Sequence, residues 1–306
     1  VAPIDSSPYL PSSRRFLNPL YIRPEAVPEY ANLAQPTRRR IRKLRKSVRK
    51  RREIIDRDTV WEGKREALWE LFQAGRRPAR QVSLDGFRRR GGSALRDFAV
   101  WSVLSEIHGN DWRLWPEELR DPRSAATEKF AAAQAERVEF FEWLQWTAQQ
   151  QLSEAQTAAE EAGMGVGVLA DLAVGVGKAS AETWLMGDVY APGITVGAPP
   201  DQYNQGGQDW GQPPWNPLKL EELEYEPFRA MVRAALNRVG GLRIDHIIGL
   251  FRLWWVPEGL EPSAGTYVRY NHEALIGILA LEAHRAQALV VGEDLGTVEP
   301  WVREYL

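Results

Sequence analysis

The sequence predicts an α/β fold in which a parallel sheet is flanked by helices. Three observations support this prediction. Short apolar runs alternate with helical segments in the C-terminal half, and the order strand, helix, strand, helix, strand is typical of a parallel sheet with helices outside it. The preceding region has helical periodicity without strands. At 306 residues and 44% hydrophobic, the chain is also large enough to form a sizeable core.

Helices dominate the prediction for the first half of the chain. Residues 1–30 are rich in proline and irregular, whereas apolar residues recur at helical spacing from about residue 36 to residue 160. The longest of these segments is "AERVEFFEWLQWTAQQQLSEAQTAAEEAG", which we expect to form one helix that stops at Gly163. A mostly helical region is therefore predicted to precede the sheet.

The sheet region contains three predicted strands, two helices and two loops. The strands are "GVGVLADL" (165–172), "GGLRIDHI" (240–247) and "QALVVGEDL" (287–295), and the helices cover about 226–238 and 269–286. We expect a long loop rich in glycine and proline at about 186–217, and a second loop that contains "LWWVPEG" (253–259). The apolar run of the last strand, Leu289, Val290 and Val291, is expected to be buried.

Positive charge is concentrated in one segment of an otherwise acidic chain. The formal net charge is −2, but residues 38–52 hold 11 of the 39 lysines and arginines and no acid. In this segment Ile41, Leu44 and Val48 fit one face of a helix, so an amphipathic basic helix that neutralises phosphates is one interpretation. No aromatic residue is interleaved there for base stacking. We therefore favour a solvated helix and expect no nucleic-acid partner.

Cysteine is absent, which excludes disulfides and thiolate metal sites. Its absence fits the cytoplasm, where we expect the protein to reside. No apolar stretch approaches the roughly 18–20 residues of a membrane span, so no membrane partner is expected. The four histidines show no ligand spacing with a third partner that would indicate a metal site.

Each predicted strand closes on an acidic residue: Asp171, Asp245 and Glu293. The C-terminal ends of parallel strands meet at one edge of a sheet, which is where the chemistry of α/β enzymes takes place. One such acid is ordinary, since strands often exit through Asp or Glu into a helix cap. Three in succession indicate a functional edge.

Asp245 and Glu293 have different predicted surroundings. Arg243 and Asp245 point to the same face because side chains alternate along a strand, and a guanidinium favours the ionised form of a neighbouring carboxylate. Glu293 follows an apolar run, so we expect desolvation to favour its protonated form. An ionised acid beside a protonated one is the arrangement that cleaves glycosidic bonds. A purely structural Arg–Asp pair is the alternative interpretation.

The predicted loop at 186–217 has a composition that suits sugar binding. A loop of this length is usually functional or disordered, and its aromatic residues argue against disorder. Aromatic faces stack on the apolar faces of sugar rings, while amides and carboxylates bond to hydroxyl groups. The residues concerned are Gln202, Tyr203, Asn204, Gln208, Asp209, Trp210 and Trp215.

Three segments together resemble a known enzyme family. They are "GLRIDHIIGLFRLWWVP", "VVGEDLGTV" and "GAPPDQYNQGGQDWGQPPWNP", and the similarity extends from "SPYLPSSRRFLNPLYI" to the final residues. The chain is similar to 4-alpha-glucanotransferases, also called amylomaltases or disproportionating enzymes, of glycoside hydrolase family 77 in the α-amylase clan. This resemblance implies a partial (β/α)8 TIM barrel with a large helical insertion. It also implies transfer of α-1,4-glucan segments between maltooligosaccharides by a retaining mechanism, without a metal or organic cofactor.

The resemblance implies roles for individual residues as well. Asp245 in "RIDH" matches the catalytic nucleophile of the family, and Glu293 in "GED" matches its general acid/base. Arg243 matches the arginine that supports the nucleophile. The substrate-binding residues that the resemblance implies are Tyr9, Asp171, Gln208, Trp210 and Arg243, to which we add His246 because it directly follows the expected nucleophile.

The sequence also departs from the family pattern. The third catalytic acid of the family lies in a His-Asp motif after a later strand, and a barrel needs eight strands to close. We expect residues 1–35 to form the barrel segment after the second strand, 36–160 a mostly helical insertion subdomain, and 161–306 barrel strands three to five with the long substrate loop 186–217. These 306 residues are therefore expected to belong to a larger enzyme and to be inactive in isolation.

Two other functions compete with this one. The segment "GVGKAS" (175–180) suggests a phosphate loop, but Leu172 stands where the Walker pattern requires glycine, and Ala179 where it requires serine or threonine. A noncatalytic glucan-binding protein is the stronger alternative. Such a protein would bind maltooligosaccharides and be indifferent to Asp245→Asn in every activity assay.

Overall fold

The computed structural model describes residue 7 and residues 9–50, 55–296 and 298–306, with the backbone alone at 47–50. Contacts divide the chain into two compact units, the first built from Leu17–Gln151 and the second from Ser7–Phe16 with Leu152–Leu306. Residues 1–6, which the sequence assigns to a barrel segment, lie outside the described residues, and the expected domain boundaries stay a prediction. Within the described residues, no helix is both long and apolar enough to cross a bilayer.

Helices make up most of the chain between residues 35 and 161, as the periodicity predicts. They are α1 (Gln35–Lys50), α2 (Arg57–Gln73), α3 (Pro78–His108), α4 (Ala125–Ala133) and α5 (Ala135–Glu161). A kink interrupts α3 at Gly92, whose φ of 54° is not helical. Beyond the end of α5, Gly163 has a φ of 85°, which lets the Met164 N–H bond back to the Ala159 carbonyl at 3.0 Å. The predicted helix stop at Gly163 is confirmed.

Aromatic rings form the centre of the first unit. Phe140 and Trp143 on α5 are fully buried, and Phe72 of α2 packs edge-on against them, at 5.6 Å and 5.8 Å between ring centroids. The Arg137 guanidinium lies 4.6 Å from the Phe140 ring centroid and pairs with Glu106 at 2.6 Å. Arginine stems thus extend the apolar interior while their charged ends find carboxylates at its margin.

The basic segment forms α1 over its described part. Ile41 is buried on the inner side of the helix. Arg40 pairs with Glu70, and Arg45 pairs with Glu25, so acids from other segments neutralise part of its charge. The expected helix is confirmed. Outside the described residues lie the side chain of Val48 and residues 51–52.

Among the described residues, the second unit has seven strands in two sheets. The strands are β1 (Leu169–Leu172), β2 (Ile194–Ala198), β3 (Gln208–Gln212), β4 (Gly241–Ile244), β5 (Arg252–Pro257), β6 (Thr266–Arg269) and β7 (Leu289–Gly292). The further helices are α6 (Ala181–Leu185), α7 (Pro217–Glu222), α8 (Glu226–Ala235), α9 (His272–Ala286) and α10 (Pro300–Tyr305). The first sheet has the order β1-β4-β7 and is parallel throughout, which confirms the predicted alternation of strands and helices.

Helices α8 and α9 pack with the central strand of the parallel sheet. Leu242 on β4, Val232 on α8 and Leu279 on α9 belong to one buried cluster. Leu289 and Val291 of β7 are exposed instead, because β7 pairs with β4 alone among the described strands. The expectation of a buried last strand is therefore wrong at these two positions.

The second sheet is absent from the sequence prediction. It is antiparallel, in the order β3-β2-β5-β6. Strands β2 and β3 lie within 186–217, and β5 covers the tryptophans of "LWWVPEG", so both predicted loops are wrong over these strands. The helix predicted from about residue 269 begins at His272 instead, because β6 occupies the residues before it. These segments are predicted as loops from the sequence because they are rich in glycine and proline, which are typical of loops. Gly197 is required inside β2, since a Cβ there would lie 1.9 Å from the Gln208 carbonyl oxygen.

Candidate active site

Asp245 and Glu293 leave neighbouring parallel strands at the same edge of the first sheet. Ile244 and Gly292 are partners at the ends of β4 and β7, and the ladder continues because the Glu293 N–H bonds to the Ile244 carbonyl at 2.9 Å. The two acids therefore occupy equivalent positions one residue further on. Side chains at equivalent positions of parallel strands point to the same face. Both carboxyl groups thus share one edge and one face of the sheet.

Arg243 joins two carboxylates on that face. Its Nη1 donates to Asp171 Oδ1 at 2.7 Å, and its Nη2 donates to Asp245 Oδ1 at 2.9 Å. The hydrogen bond to Asp171, followed by that to Asp245, raises the pKa of Arg243 above its ordinary value. The Asp245 side chain keeps 18% of its surface exposed, so solvent reaches it. Asp171 lies one residue before the end of β1, whereas the sequence suggests that it closes the strand.

Glu293 is held by main-chain groups on both sides. Its Oε2 accepts a hydrogen bond from the His246 N–H at 3.0 Å, and its Oε1 accepts one from the Leu295 N–H at 2.6 Å. Its own carbonyl accepts a bond from the Ile247 N–H at 2.9 Å. The side chain is therefore oriented by the backbone that follows β4 and β7. The protonated state expected for it stays a prediction.

His246 connects this edge to the antiparallel sheet. Its backbone is left-handed, at φ 51° and ψ 61°. The imidazole meets the Trp210 ring edge to face, with 5.3 Å between centroids and 89° between planes. Burial lowers the pKa of His246 below its ordinary value, while the nearby Glu293 and Asp245 act in the opposite direction. A neutral imidazole next to both acids is the consequence.

The segment after β2 presents polar and aromatic side chains to solvent. Trp210 Nε1 donates to Gln208 Oε1 at 3.0 Å, which fixes the indole relative to β3. At the tip, Asp201 Oδ1 accepts hydrogen bonds from the N–H groups of Tyr203 and Asn204 at 2.8 Å and 2.6 Å. This turn leaves the Tyr203 side chain 90% exposed. Gln208 and Tyr203 are therefore exposed, whereas Trp210 is partly buried and packs against the core of the second unit.

Two further aromatic residues expected from the sequence, Tyr9 and Trp215, differ in their relation to the acids. Tyr9 is exposed, and its carbonyl accepts a bond from Gln212 Nε2 at 2.8 Å. No hydrogen bond or ring contact among the described residues connects its ring to Asp245 or Glu293. Trp215 is partly buried, packs against Phe228 with 6.1 Å between centroids, and lines the cavity that includes Asp245 and His246.

Arg14 is a polar residue of this region that the sequence reasoning misses. It is buried, pairs with Glu182 at 3.1 Å, and donates from Nη1 to the Val174 carbonyl at 2.8 Å. The cavity that it lines also includes Asp245 and His246. Its partner is 168 residues away in the chain, so no local signal in the sequence predicts the pair.

Comparison with known proteins shows the family. A family model described as 4-alpha-glucanotransferase, of glycoside hydrolase family 77, matches residues 1–306. The chain belongs to this family. The fold predicted from the resemblance, an α/β partial (β/α)8 barrel with a large helical insertion, is confirmed by a family structure. The amylomaltase from Corynebacterium glutamicum superposes on the whole chain with a TM-score of 0.88 at 42% identity, and the match covers 42% of that protein.

Curated relatives agree with this family membership. The 4-alpha-glucanotransferase of Mycobacterium tuberculosis (strain ATCC 25618 / H37Rv) is 55% identical over 307 residues, which is 99% of this chain and 42% of the relative. The 4-alpha-glucanotransferase of Haemophilus influenzae (strain ATCC 51907 / DSM 11121 / KW20 / Rd) is 34% identical over 97% of this chain and 45% of the relative. The chain thus spans less than half the length of each of these relatives.

Proposed function

We propose that the protein is a 4-α-glucanotransferase, which transfers α-1,4-glucan segments between maltooligosaccharides with retention of configuration. One observation carries the proposal. Asp245 and Glu293 leave adjacent parallel strands at equivalent positions and on one face, and Arg243 bonds to Asp245. Paired carboxylates of this kind are what a double displacement at an anomeric carbon requires. The family membership reported above agrees with it.

The first half of the proposed reaction forms a covalent intermediate. Glu293, holding a proton, donates it to the glycosidic oxygen, while an Asp245 oxygen attacks the anomeric carbon of the donor glucan. The bond between that carbon and the departing glucan breaks, and a β-glucosyl ester of Asp245 forms. Arg243, which donates to Asp245 Oδ1, orients the carboxylate that attacks.

The second half reverses these roles. Glu293, now a carboxylate, takes the proton from the 4-hydroxyl of an incoming glucan, whose oxygen attacks the anomeric carbon. The ester bond to Asp245 breaks and a new α-1,4 bond forms. If water takes the place of the acceptor, the same step hydrolyses the glucosyl ester. Transfer therefore exceeds hydrolysis only where the bound acceptor sugar excludes water. We expect Trp210, which contacts His246, and Gln208, which bonds to Trp210, to hold that sugar.

The proposed ligands are α-1,4-glucans and maltooligosaccharides, which contact five further residues. We assign substrate contacts to Tyr9, Asp171, Gln208, Trp210 and His246, of which His246 and Trp210 touch each other. The proposal includes neither a nucleic-acid nor a membrane partner. A cytoplasmic location stays the prediction that the absence of cysteine supports.

Disproportionation of maltotriose by the complete natural protein tests the proposal. Asp245→Asn and Glu293→Gln should each lower the rate by several orders of magnitude. A donor with a fluoride leaving group, which departs without protonation, should restore glucosylation in Glu293→Gln but not in Asp245→Asn. Exposed acids elsewhere in the second unit provide matched controls, Asp188→Asn and Glu273→Gln, which should retain full activity.

The same experiment distinguishes the noncatalytic alternative. A glucan-binding protein would bind maltooligosaccharides and show no disproportionation that depends on Asp245. Calorimetric titration with maltotriose alongside the rate measurement separates the two functions. Binding without turnover in the complete natural protein would favour the binding protein and overturn the transferase proposal.

A further inference from the structure

We propose that Gln212 is a positioning residue, which holds Tyr9 in place for substrate through a hydrogen bond to the Tyr9 carbonyl. The inference deepens the proposed function and rests on it, because it takes up the sugar contact assigned there to Tyr9. Gln212 is only 4% exposed at the end of β3. It therefore acts on the sugar through Tyr9 and not by touching it.

Tyr9 has few hydrogen bonds to hold it. Among the described residues it makes two, both through its main chain: its N–H donates to Ser7 Oγ at 3.2 Å, and its carbonyl accepts from Gln212 Nε2 at 2.8 Å. The bond to Ser7 is local and cannot fix Tyr9 relative to the sheets. The next hydrogen bond from this segment to a distant part of the described chain is at Pro11, whose carbonyl accepts from the Gly177 N–H at 3.4 Å. Gln212 thus supplies the bond that sets where the exposed Tyr9 ring stands.

The Gln212 side chain is itself confined by its surroundings. Its main chain pairs with the buried Val196 of β2. Gly175 lies so close that an added Cβ would stand 2.6 Å from Gln212 Oε1 and 3.0 Å from Gln212 Cβ. The amide therefore has little room to adopt another rotamer, and its Nε2 stays directed at the Tyr9 carbonyl.

Strand β3 also carries Trp210, the second aromatic residue to which we assign a sugar contact. Trp210 lies just before Gln212 in this strand, and its ring meets the His246 imidazole with 5.3 Å between centroids. One strand therefore holds both aromatic residues, although Tyr9 is 203 positions away from Gln212 in the chain. Because a glucan presents its rings at a fixed spacing, its binding depends on the spacing that β3 gives to Tyr9 and Trp210.

Gln212→Met in the complete natural protein tests the inference. Methionine has a similar length but cannot donate, and Gln212 Oε1 has no hydrogen-bond partner within the described residues, so the side chain loses only its bond to Tyr9. KM for maltotriose should rise about twofold to tenfold, the range of one neutral hydrogen bond, with kcat unchanged. The matched control is Gln145→Met. Gln145 is another buried glutamine, which donates to the Leu17 carbonyl at 2.9 Å in the first unit, and its replacement should leave KM unchanged.

A double-mutant cycle gives the readout that a merely structural role would not move. If Gln212 acts through Tyr9, Gln212→Met should raise KM in the unaltered protein and have no effect in Tyr9→Ala, which has already lost the ring. A general loss of packing would raise KM by the same factor in both backgrounds. An equal rise in both, or an unchanged KM in Gln212→Met, overturns the inference. An unchanged KM in Tyr9→Ala also overturns it, since there would be no contact to position.

Gly175→Ala covers the case in which Gln212→Met fails to fold. The added methyl group displaces the Gln212 amide while the glutamine itself is kept. Gly175 also lines the cavity that includes Asp245, so the same cycle is needed. Its rise in KM should be smaller in Tyr9→Ala than in the unaltered protein, and an equal rise in both overturns the inference.

The outcomes also separate this inference from the proposed function. Full activity in Asp245→Asn would remove the proposed function and this inference with it. An inactive Asp245→Asn, together with independent effects of Gln212→Met and Tyr9→Ala on KM, removes the inference alone.

Discussion

The N–H of His246 bonds to Glu293 Oε2 at 3.0 Å, although the two residues lie 47 positions apart in the chain. This bond ties the end of β4 to the end of β7 through a main-chain donor. The separation of the two acids is therefore fixed by backbone register as well as by side-chain rotamers. Such fixation matters because the distance between the carboxyl groups decides the stereochemical outcome of glycosyl transfer.

We expect the carboxyl groups of Asp245 and Glu293 to lie about 5–5.5 Å apart when a maltooligosaccharide is bound, the spacing of retaining enzymes. A crystal structure of the complete natural protein with bound sugar measures the distance directly. Proton NMR of the first product anomer provides the matching chemical control. A spacing of about 6.5–9.5 Å, together with an inverted product, would contradict double displacement.

Arg243→Ala should lower kcat/KM for maltotriose disproportionation, because the Asp245 carboxylate loses the guanidinium that donates to it. Hydrogen bonds to charged groups contribute about 1.5–3 kcal/mol, which corresponds to a loss on the order of tenfold to hundredfold. Initial rates at low maltotriose concentration measure the loss.

The matched control for this prediction is Arg229→Ala. Arg229 is also paired with a carboxylate, that of Glu226, but the pair lies on α8 away from the acids. Its removal should leave the rate unchanged. An unchanged kcat/KM in Arg243→Ala would show that Arg243 does not support the nucleophile.

The position of Asp245 and Glu293 at one edge of the parallel sheet could be predicted from the sequence, because it depends on the local pattern of apolar and acidic residues. Apolar runs that end at Asp245 and Glu293 identify strands, although β7 is exposed at Leu289 and Val291, and parallel strands bring such ends together. The contact of Arg243 with Asp245 follows from alternation within one strand. Each of these inferences needs only neighbours in the chain and one rule of sheet geometry.

The features that escaped prediction depend on distant neighbours. Gly197 suggests a loop by composition, yet β2 needs glycine there because the Gln208 carbonyl approaches so closely. From the sequence alone Arg14 would be expected at the surface, but in the structure it is buried in a pair with Glu182, far along the chain. The left-handed turn of His246 has no marker such as glycine, since it is maintained by contacts with other strands. Tertiary structure decides all three.

Trp210→Ala should raise the ratio of hydrolysis to transfer. The indole contacts His246 and is fixed by Gln208, so its removal opens the side of the site from which an acceptor sugar must exclude water. Free glucose released per transfer event, measured by product chromatography, gives the ratio. Trp210→Phe keeps an aromatic ring against His246 and should change the ratio less. Equal ratios in all three proteins would remove the water-excluding role.

Tyr203→Ala should raise KM for long maltooligosaccharides several-fold and leave stability unchanged. The ring is 90% exposed on a turn held by Asp201, so it has no packing to lose, and exposed substitutions usually change stability by less than about 0.5 kcal/mol. Tyr21, 86% exposed in the first unit, supplies the control, because Tyr21→Ala should leave KM unchanged. A KM for Tyr203→Ala equal to that of the control would exclude a sugar contact.

Arg14→Met should destabilise the protein by about 3–5 kcal/mol, because it leaves Glu182 buried without its guanidinium. The side chains of this pair are only 6% and 3% exposed, and Tyr190, whose pKa is raised by burial and by Glu182, donates to the same carboxylate. The exposed pair of Arg96 with Glu128 is the matched control, and Arg96→Met should cost less than about 1 kcal/mol. Urea unfolding followed by tryptophan fluorescence compares the two variants. A loss in Arg14→Met no larger than that in Arg96→Met would show that the buried pair contributes as little as a surface pair.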